Sequence, residues 1–285
     1  MGDRILAQTW EQFPSLARNQ LALTWVVYDD PVIVNTGGAI TPNDFWQQSV
    51  RGFSYRGVEC VDPAELAHLF YLVAIQEWIE RGMVVSSPEL ERAMQDMVVL
   101  GHHAAAGLVV DMLTGTTSGP ELPPQPFQTW YQQRNIVNRY LKSLQWPELE
   151  AVNICQKMGA AYGRERQALG SMLEHRNQLT TDAVARLMHS IMGGVAVSAG
   201  RSQSMMKSLH QARVSFLAAI LPSNSQYWSL TGQDPNGYHE VMYTEIPGAQ
   251  PFLLTVSVRQ DLAQRQAVQN AVIPFIGQQV IAELG

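Results

Sequence analysis

The chain has 285 residues, of which 46% are hydrophobic and only 15% charged, and its formal net charge is −6. This composition is typical of a globular protein with a substantial core, and an acidic balance without any Lys/Arg cluster argues against nucleic acid as a partner. No apolar run approaches the ~20 residues that span a bilayer, and residues 1–13 lack the pattern of a secretory signal. We therefore expect a cytoplasmic protein with no membrane span.

The N-terminal part of the chain predicts a short helix followed by a β-hairpin. Residues 3–18 have an amphipathic pattern, and Leu21 to Tyr28 are rich in β-branched and aromatic residues. Asp29 to Pro31 provide a turn, after which Val32 to Asn35 have the composition of a returning strand.

The middle of the chain, from Asp62 to about His210, has the periodicity of helices. Helix starts are marked by Ser87-Pro88 and by Thr181-Asp182. Residues 115–126 are rich in Pro and Gly and predict a loop. The predicted helices are 63–81, 88–98, 104–112, 127–144, 165–177, 180–192 and 200–211.

The C-terminal part returns to strands and ends in a helix. Strands are predicted at Gln226–Thr231, Tyr238–Ile246 and Phe252–Val258, and a final helix at 262–283. Strands at both ends of the chain share one sheet only if the helical middle forms its own lobe. The predicted class is therefore α/β (α+β), with an antiparallel sheet from both chain ends, flanking terminal helices and an all-helical lobe.

This organisation predicts one domain over residues 1–285. Its sheet lobe combines 1–61 with 212–285, and its helical lobe is 62–211. A cleft between two such lobes is a common place for a small-molecule site. The two cysteines, Cys60 and Cys155, are far apart in the chain, and we expect both to be free, buried thiols.

Two features carry a family resemblance, namely this order of elements and several short sequence segments, among them LFYLVA, QQRNIVNRY, NQLTTDA and HSIMGGVAVS. From about Leu21 to Leu284 the chain resembles the β-lactamase and penicillin-binding-protein-like serine hydrolases, in particular class A β-lactamase-related proteins of cyanobacteria. Such a resemblance implies a cleft lined by three catalytic motifs.

The first of these motifs is Ser-x-x-Lys at the start of a buried helix. Pro63-Ala64 before it and LFYLVA after it align the motif with Glu65-Leu66-Ala67-His68. Glu65 then stands at the position of the nucleophile and His68 at that of the lysine. A carboxylate beside the oxyanion pocket opposes the charge that develops in acyl transfer.

The other two motifs are Ser-x-Asn on a loop and Lys-Thr-Gly on a strand. The resemblance aligns them with Gly101-His102-His103 and with Leu230-Thr231-Gly232. The hydroxyl, the amide and the lysine ammonium that the family uses are therefore replaced. Glu165 falls near the place where some members keep a water-activating Glu, although a partner of an Arg or a first-turn helix charge is the simpler interpretation.

The replacement residues also suggest a metal site. Glu65 and His68 have i,i+3 spacing on one helix face, and the family geometry brings His103, and with it His102 and His239, towards them. Carboxylate and imidazole ligands suit Zn²⁺ or a similar divalent metal. The favoured interpretation is that Glu65 and His68 form a hydrogen-bonded pair, that His102 and His103 are solvated, and that no cofactor is present.

The predicted function is that of a pseudoenzyme, which lacks the family's catalysis and binds a small molecule or a protein partner through its cleft. The candidate binding residues are Glu65, His68, Gly101, His102, His103, Glu165, Leu230, Thr231, Gly232 and His239. One alternative is a remodelled hydrolase, metal-dependent or not, that uses Glu65, His68 and His103. The other is a structural or assembly protein whose cleft is filled by side chains.

Overall fold

A single antiparallel sheet is built from both ends of the chain. The computed structural model describes residues 1–210, 215–235, 237–259 and 271–284. Within them the strands are β1 (Leu21–Val27), β2 (Arg51–Tyr55), β3 (Gln226–Asp234), β4 (Gly237–Glu245) and β5 (Phe252–Arg259), in the sheet order β2-β1-β5-β4-β3. This architecture confirms the predicted fold class.

The central strand β5 joins the two chain ends. It pairs with β1 on one side, where Leu21 lies opposite Val258, and with β4 on the other. Because side chains alternate across a strand, Leu254 and Val256 belong to the core on one face of the sheet and Leu253 to the core on the other.

The helices lie on both faces of this sheet and in the lobe beside it. Many begin with an identifiable cap, such as Ser87, whose hydroxyl accepts a hydrogen bond from the Leu90 N–H. In the described ranges they are α1 (Gly2–Gln12), α2 (Pro42–Gln47), α3 (Ala67–Glu80), α4 (Pro88–Val99), α5 (His103–Thr114), α6 (Pro124–Arg134), α7 (Ile136–Ser143), α8 (Arg164–Ala168), α9 (Thr181–Met192), α10 (Ala199–His210) and α11 (Val272–Leu284).

Two hydrophobic cores hold the layers together. The larger surrounds α3, which is buried over most of its length, and extends through α9 to one face of the sheet. The smaller packs α1 and α11 against the opposite face. The start of α3 therefore lies where the helical lobe meets the sheet.

Three of the predicted elements differ from the structure. Val32–Gly37 is a 3₁₀ helix, so the predicted hairpin is wrong, and β1 pairs instead with β2 and β5. The helix predicted at 165–177 ends at Ala168, and the one at 127–144 is divided at Asn135 between α6 and α7. The predicted beginning of the last helix, 262–270, and the lobe boundary at 211–212 lie outside the described residues.

No helix in the described ranges combines the length and the apolar character that a bilayer crossing requires. Both cysteines are free thiols, as predicted, but only Cys155 is buried and Cys60 is exposed.

Candidate functional site

The turn that precedes α3 has an unusual backbone. Ala64–Leu66 forms a single 3₁₀ turn after Pro63, and Ala64 has φ +44°, in the left-handed region that residues other than glycine seldom adopt. A side-chain oxygen of Asp62 accepts a hydrogen bond of 3.3 Å from the Ala64 N–H. Non-glycine residues in this conformation concentrate at functional sites, and here the residue that follows is Glu65.

The Glu65 carboxylate is buried and held from two sides. Its Oε2 accepts a hydrogen bond of 2.7 Å from the backbone N–H of Gln233, at the end of β3. Its Oε1 lies 3.1 Å from Nε2 of His103. His103 is the first residue of α5, and its side chain is 50% exposed. The carboxylate thus connects the start of α3, the start of α5 and the end of β3.

These contacts keep Glu65 ionised. Burial by itself would raise the pKa of its carboxyl group, but the N–H of Gln233, the His103 side chain, the backbone N–H of Glu65 itself and the charge of His68 lower it more. The net pKa of Glu65 is therefore below its ordinary value. A negative charge is fixed at this point of the molecule at neutral pH.

A glycine lets β3 approach the start of α3 this closely. A Cβ atom on Gly232 would lie 2.8 Å from the backbone nitrogen of Leu66 and 2.9 Å from that of Glu65. No side chain fits at this distance, so glycine is required here for packing. The adjacent Gln233 N–H is brought within reach of the Glu65 carboxylate as a result.

A cleft of about 710 Å³ opens beside Glu65 and His103. Its wall on the sheet side is the end of β3, at residues 233–235, and the opposite wall is the loop 156–162 together with α8. Polar and apolar side chains both line it, including Asp62, Lys157 and Tyr162. Its size matches that of small-molecule sites in proteins.

A buried charge network stands behind the far wall. Arg134 is fully buried; it hydrogen-bonds to Glu165 and lies 3.4 Å from Asp111. Glu165 also accepts a hydrogen bond of 2.9 Å from Ser118, and Lys157 donates one of 2.6 Å to Asp111. Because buried charges require partners, this network fixes the position of the wall.

The structure brings three of the predicted residues, Glu65, His103 and Glu165, to the cleft. His68 is fully buried in α3, and its electrostatic influence helps to lower the pKa of the Glu65 carboxyl group. Gly101 and His102 precede α5, where His102 accepts a hydrogen bond from the Ala105 N–H and caps the helix. The cap explains the presence of a polar residue at His102 without a ligand.

The remaining predicted residues lie within the sheet. Leu230 is buried in the larger core, Thr231 pairs with Glu240 of β4, and Gly232 packs against the start of α3. His239 is buried on β4, with Nδ1 2.8 Å from Oγ of Ser257, and burial lowers its pKa to about 4. It lines a small neighbouring cavity of about 50 Å³ instead of the cleft.

Sequence reasoning missed several residues of the site. Gln233 contributes only its backbone N–H, which no side-chain pattern reveals. Arg134 lies in the string QQRNIVNRY, where nothing in the sequence distinguishes a buried arginine from an exposed one. Lys157 is one of only three lysines in the chain, and this rarity is the one feature of the sequence that could have marked it as a residue of the site.

The described residues contain no group of three or more His, Cys, Asp or Glu side chains that could hold a metal ion. Glu65 and His103 meet, but a third side chain of this kind does not join them in those ranges. The zinc alternative stays a prediction without geometric support.

Comparison with known proteins identifies the fold and the family. The chain has a TM-score of 0.69 to a beta-lactamase from Sphaerobacter thermophilus at 15% identity, covering 98% of this chain and 96% of the other. It has a TM-score of 0.64 to a beta lactamase from Burkholderia vietnamiensis at 14% identity, with coverages of 98% and 96%. PBP-A also matches with a TM-score of 0.64, at 12% identity and coverages of 97% and 96%.

No curated protein matches the sequence. The sequence profile of the Beta-lactamase enzyme family matches residues 127–284, which is more than half of the chain. The strings quoted above, the sheet order and the cleft at the start of a buried helix agree with this match. The chain therefore belongs to the beta-lactamase enzyme family.

Proposed function

We propose that this protein is a non-catalytic member of its family that binds a ligand or a protein partner through the cleft beside Glu65. The observation that carries the proposal is the ionised Glu65 carboxylate at the start of the buried helix, hydrogen-bonded to the Gln233 N–H. In the family pattern described above, this is the position of the nucleophilic serine.

Two consequences follow for acyl transfer. An attacking hydroxyl is replaced by an anion that is held in place. The N–H of Gln233, which could stabilise a developing oxyanion, already donates a hydrogen bond of 2.7 Å to that carboxylate, and the Glu65 N–H also lowers its pKa. A preorganised donor pair accelerates acyl transfer only when the charge of the transition state can reach it, so the geometry supports the loss of this chemistry.

The other matched positions support the same proposal. His68 replaces the motif lysine and is buried in α3. Gly101 offers no hydroxyl, and Leu230 is buried in the core instead of presenting an ammonium group to the cleft. The open volume of about 710 Å³ favours a binding role over an assembly protein with a filled cleft.

The absence of acyl chemistry is tested by incubating the protein with a fluorescent penicillin and with a chromogenic cephalosporin, beside an active class A beta-lactamase. We expect neither covalent labelling nor turnover above the buffer rate. A label at one per chain, or turnover that disappears in Glu65→Gln, would contradict the proposal.

The remodelled hydrolase is the second candidate, and the contact between His103 Nε2 and Glu65 Oε1 favours it. An imidazole oriented by a carboxylate and half exposed to a cleft is suited to act as a general base towards water. A panel of esters and lactams, assayed with the wild type and with His103→Gln, tests this candidate. Hydrolysis lost in His103→Gln would support it, and elemental analysis of the protein purified without chelators would show whether a metal takes part.

A further inference from the structure

The connection between β1 and β2 is far longer than the geometry of the two strands requires. The strands are antiparallel neighbours, with Val27 opposite Arg51, and two residues are enough to join such a pair. Here residues 28–50 join them. Most connections in compact domains have about 4–6 residues. This one is long enough to form structure of its own, namely the 3₁₀ helix Val32–Gly37 and α2.

A second cavity, of about 590 Å³, lies between this connection and α9. Apart from His189 of α9, its described lining residues all lie within residues 27–51. No described residue lines both this cavity and the cleft beside Glu65. Its volume is in the range of small-molecule sites in proteins. The connection therefore creates a site that is separate from the cleft.

The interior of this cavity is aromatic and carries no charged side chain among the described residues. Tyr28, Asn35 and Phe45 are buried, with exposures of 3%, 2% and 2%, and His189 is partly buried. The rings of Tyr28 and Phe45 both stack on that of His189, with centroids 5.5 Å and 4.7 Å away. The side-chain amide of Asn35 is bonded at both ends to main-chain groups.

The charged side chains of the lining lie on its solvent-exposed side. They are Asp29, Asp30 and Arg51. Arg51 lies 3.6 Å from Asp29 and donates a hydrogen bond of 2.6 Å to Gln250. An ion that entered the interior would lose its water without meeting a counter-charge there, and such burial is costly. The cavity therefore favours an uncharged compound.

His189 offers this interior a hydrogen-bond donor. Tyr28 Oη lies 2.9 Å from its Nδ1, and no other hydrogen bond joins either side chain to a described residue. Burial, with the charge of Arg186, lowers the pKa of His189 to about 4, so the neutral ring carries one proton. A buried tyrosine hydroxyl needs an acceptor, and Nδ1 is the acceptor within reach. The ring proton is therefore assigned to Nε2.

We infer that this cavity binds a small uncharged aromatic compound with a carbonyl oxygen, such as an aromatic amide or ketone. The carbonyl oxygen accepts a hydrogen bond from the Nε2–H of His189. The ring of the ligand packs against the aromatic and aliphatic lining, which includes Tyr28, Phe45 and Ile40. This site is additional to the cleft beside Glu65 and does not depend on the function proposed for that cleft.

The test uses three probes of nearly the same planar shape, namely benzamide, benzoate and benzamidine. Benzamide is uncharged and has a carbonyl oxygen, benzoate is an anion, and protonated benzamidine is a cation without an acceptor. Each is titrated into ¹⁵N-labelled full-length protein, and the dissociation constant is taken from the amide shifts. We expect benzamide to bind at least about tenfold more tightly than either ion, with its largest shifts in residues 28–51 and near His189.

His189→Phe and the matched control His175→Phe test the donor. The first keeps an aromatic ring in the stack and removes the Nε2–H, so we expect the affinity for benzamide to fall about fivefold. His175 is exposed and does not line the cavity, so its substitution should leave the affinity unaltered. In Tyr28→Phe, ¹H–¹⁵N spectra of the imidazole should change from the Nε2-protonated form of the wild type to a mixture of both tautomers.

Each contrary result overturns a defined part of the inference. If benzoate or benzamidine shifts the amides of 28–51 at equal or lower concentration than benzamide, the uncharged class is wrong. If benzamide leaves these amides unshifted, the site itself is wrong. Equal affinity of His189→Phe and the wild type would exclude the donor. If His189→Phe does not fold, the imidazole spectrum of the wild type decides, because a proton on Nδ1 would exclude the donor equally.

Discussion

At the scale of single residues, the structure assigns Glu65 a role in stability as well as at the site. Its carboxylate accepts a hydrogen bond from Gln233 and contacts His103. Hydrogen bonds to a charged group contribute more to stability than neutral ones. The same side chain therefore lines the cleft and stabilises the contact between β3 and the start of α3.

Glu65→Ala should lower the free energy of unfolding by about 1–2 kcal/mol at pH 7, because the Gln233 N–H loses a charged acceptor. Glu65→Gln should lose less, since its amide oxygen can still accept this hydrogen bond. Urea unfolding monitored by circular dichroism measures both variants. An equal or higher stability of Glu65→Ala would mean that the carboxylate is strained at this position.

The contribution of Glu65 to the free energy of unfolding should decrease in acid. The folded-state pKa of Glu65 lies below the ordinary value of 4.5, so its stabilisation is present above pH 4.5 and is lost as pH falls through the lowered folded pKa. The stability difference between the wild type and Glu65→Gln should therefore shrink in acid. A difference that is constant from pH 7 to the acid limit of folding would argue against an ionised Glu65.

The contribution of Glu240, on β4, to the free energy of unfolding should change with pH in the opposite direction. It is fully buried, accepts a hydrogen bond from Ser215, and burial raises its pKa from 4.5 to about 8. Its contribution is fully present below pH 4.5 and is lost as pH rises through about 8, because the folded state must then bury a charge. Glu240→Gln should thus gain stability over the wild type, by a few kcal/mol, as pH rises from 5 to 8.

Unfolding of both proteins across this range measures the effect, and Glu150→Gln, at an exposed position, serves as the control. Parallel stability curves for the wild type and Glu240→Gln would show that Glu240 titrates normally.

At the scale of elements, the arrangement of the site depends on two contacts between neighbouring segments. Gly232 lets β3 lie against the start of α3, and Arg134 holds α6 against α5 and α8 through Asp111 and Glu165. The first contact positions the sheet side of the cleft and the second positions the opposite wall. Each can be disturbed by one substitution outside the cleft.

Gly232→Ala should destabilise the protein by about 2 kcal/mol or more, because its Cβ would lie within 2.9 Å of backbone atoms that belong to another element. Gly200→Ala is the matched control. Gly200 lies in α10 with nothing within 4 Å of its Cβ position, and Ala favours a helix there by up to about 1 kcal/mol. Thermal unfolding compares the two, and a neutral Gly232→Ala would show that β3 can move away from α3.

Arg134→Met should cost about 3–5 kcal/mol, because Glu165 and Asp111 lose a buried cation. Hydrogen exchange should increase in residues 156–168, which form the wall. Arg139→Met on α7 removes an exposed arginine and should change stability by less than about 0.5 kcal/mol. Unchanged exchange at 156–168 in Arg134→Met would show that other contacts hold this wall.

The wrongly predicted elements at Val32–Asn35 and 165–177 differ from the structure for separate physical reasons. Val32–Asn35 has strand composition, yet the chain forms a 3₁₀ helix there, because the partners of β1 come from β5 and from the exposed edge strand Arg51–Tyr55. Strand propensity reflects burial and pairing, and the polar, glycine-containing β2 gives little local signal. Within 165–177, positive φ values at Gly170 and Leu173 end the helical pattern.

At the scale of the whole molecule, the fold class was predictable and the contents of the site were only partly so. Helical periodicity in the middle and strands at both ends are properties of long segments, so they appear in the sequence. The site depends on single contacts between distant segments, such as Gln233 with Glu65, which are 168 residues apart. Family resemblance supplied Glu65 and His103, whereas Arg134 and Lys157 required coordinates.

The two lobes should unfold together, because they share the larger hydrophobic core. The larger core includes residues of α3 and α9 together with Leu230, Val241 and Leu253 of the sheet, so neither lobe has that core to itself. We therefore expect one cooperative transition in denaturant, although a chain of this length often unfolds in steps. Hydrogen exchange by mass spectrometry should give similar opening free energies for α3 and for β5.

A matched pair of core variants sharpens the test. Leu187→Ala in α9 and Leu253→Ala in β5 both remove a fully buried leucine of this core, and each should destabilise the protein by about 2–5 kcal/mol. Because the core is shared, each variant should lower the protection of α3 and of β5 by the same amount. If Leu187→Ala weakened only the helices and Leu253→Ala only the sheet, the lobes would be independent units, and the cleft between them would open without unfolding either one.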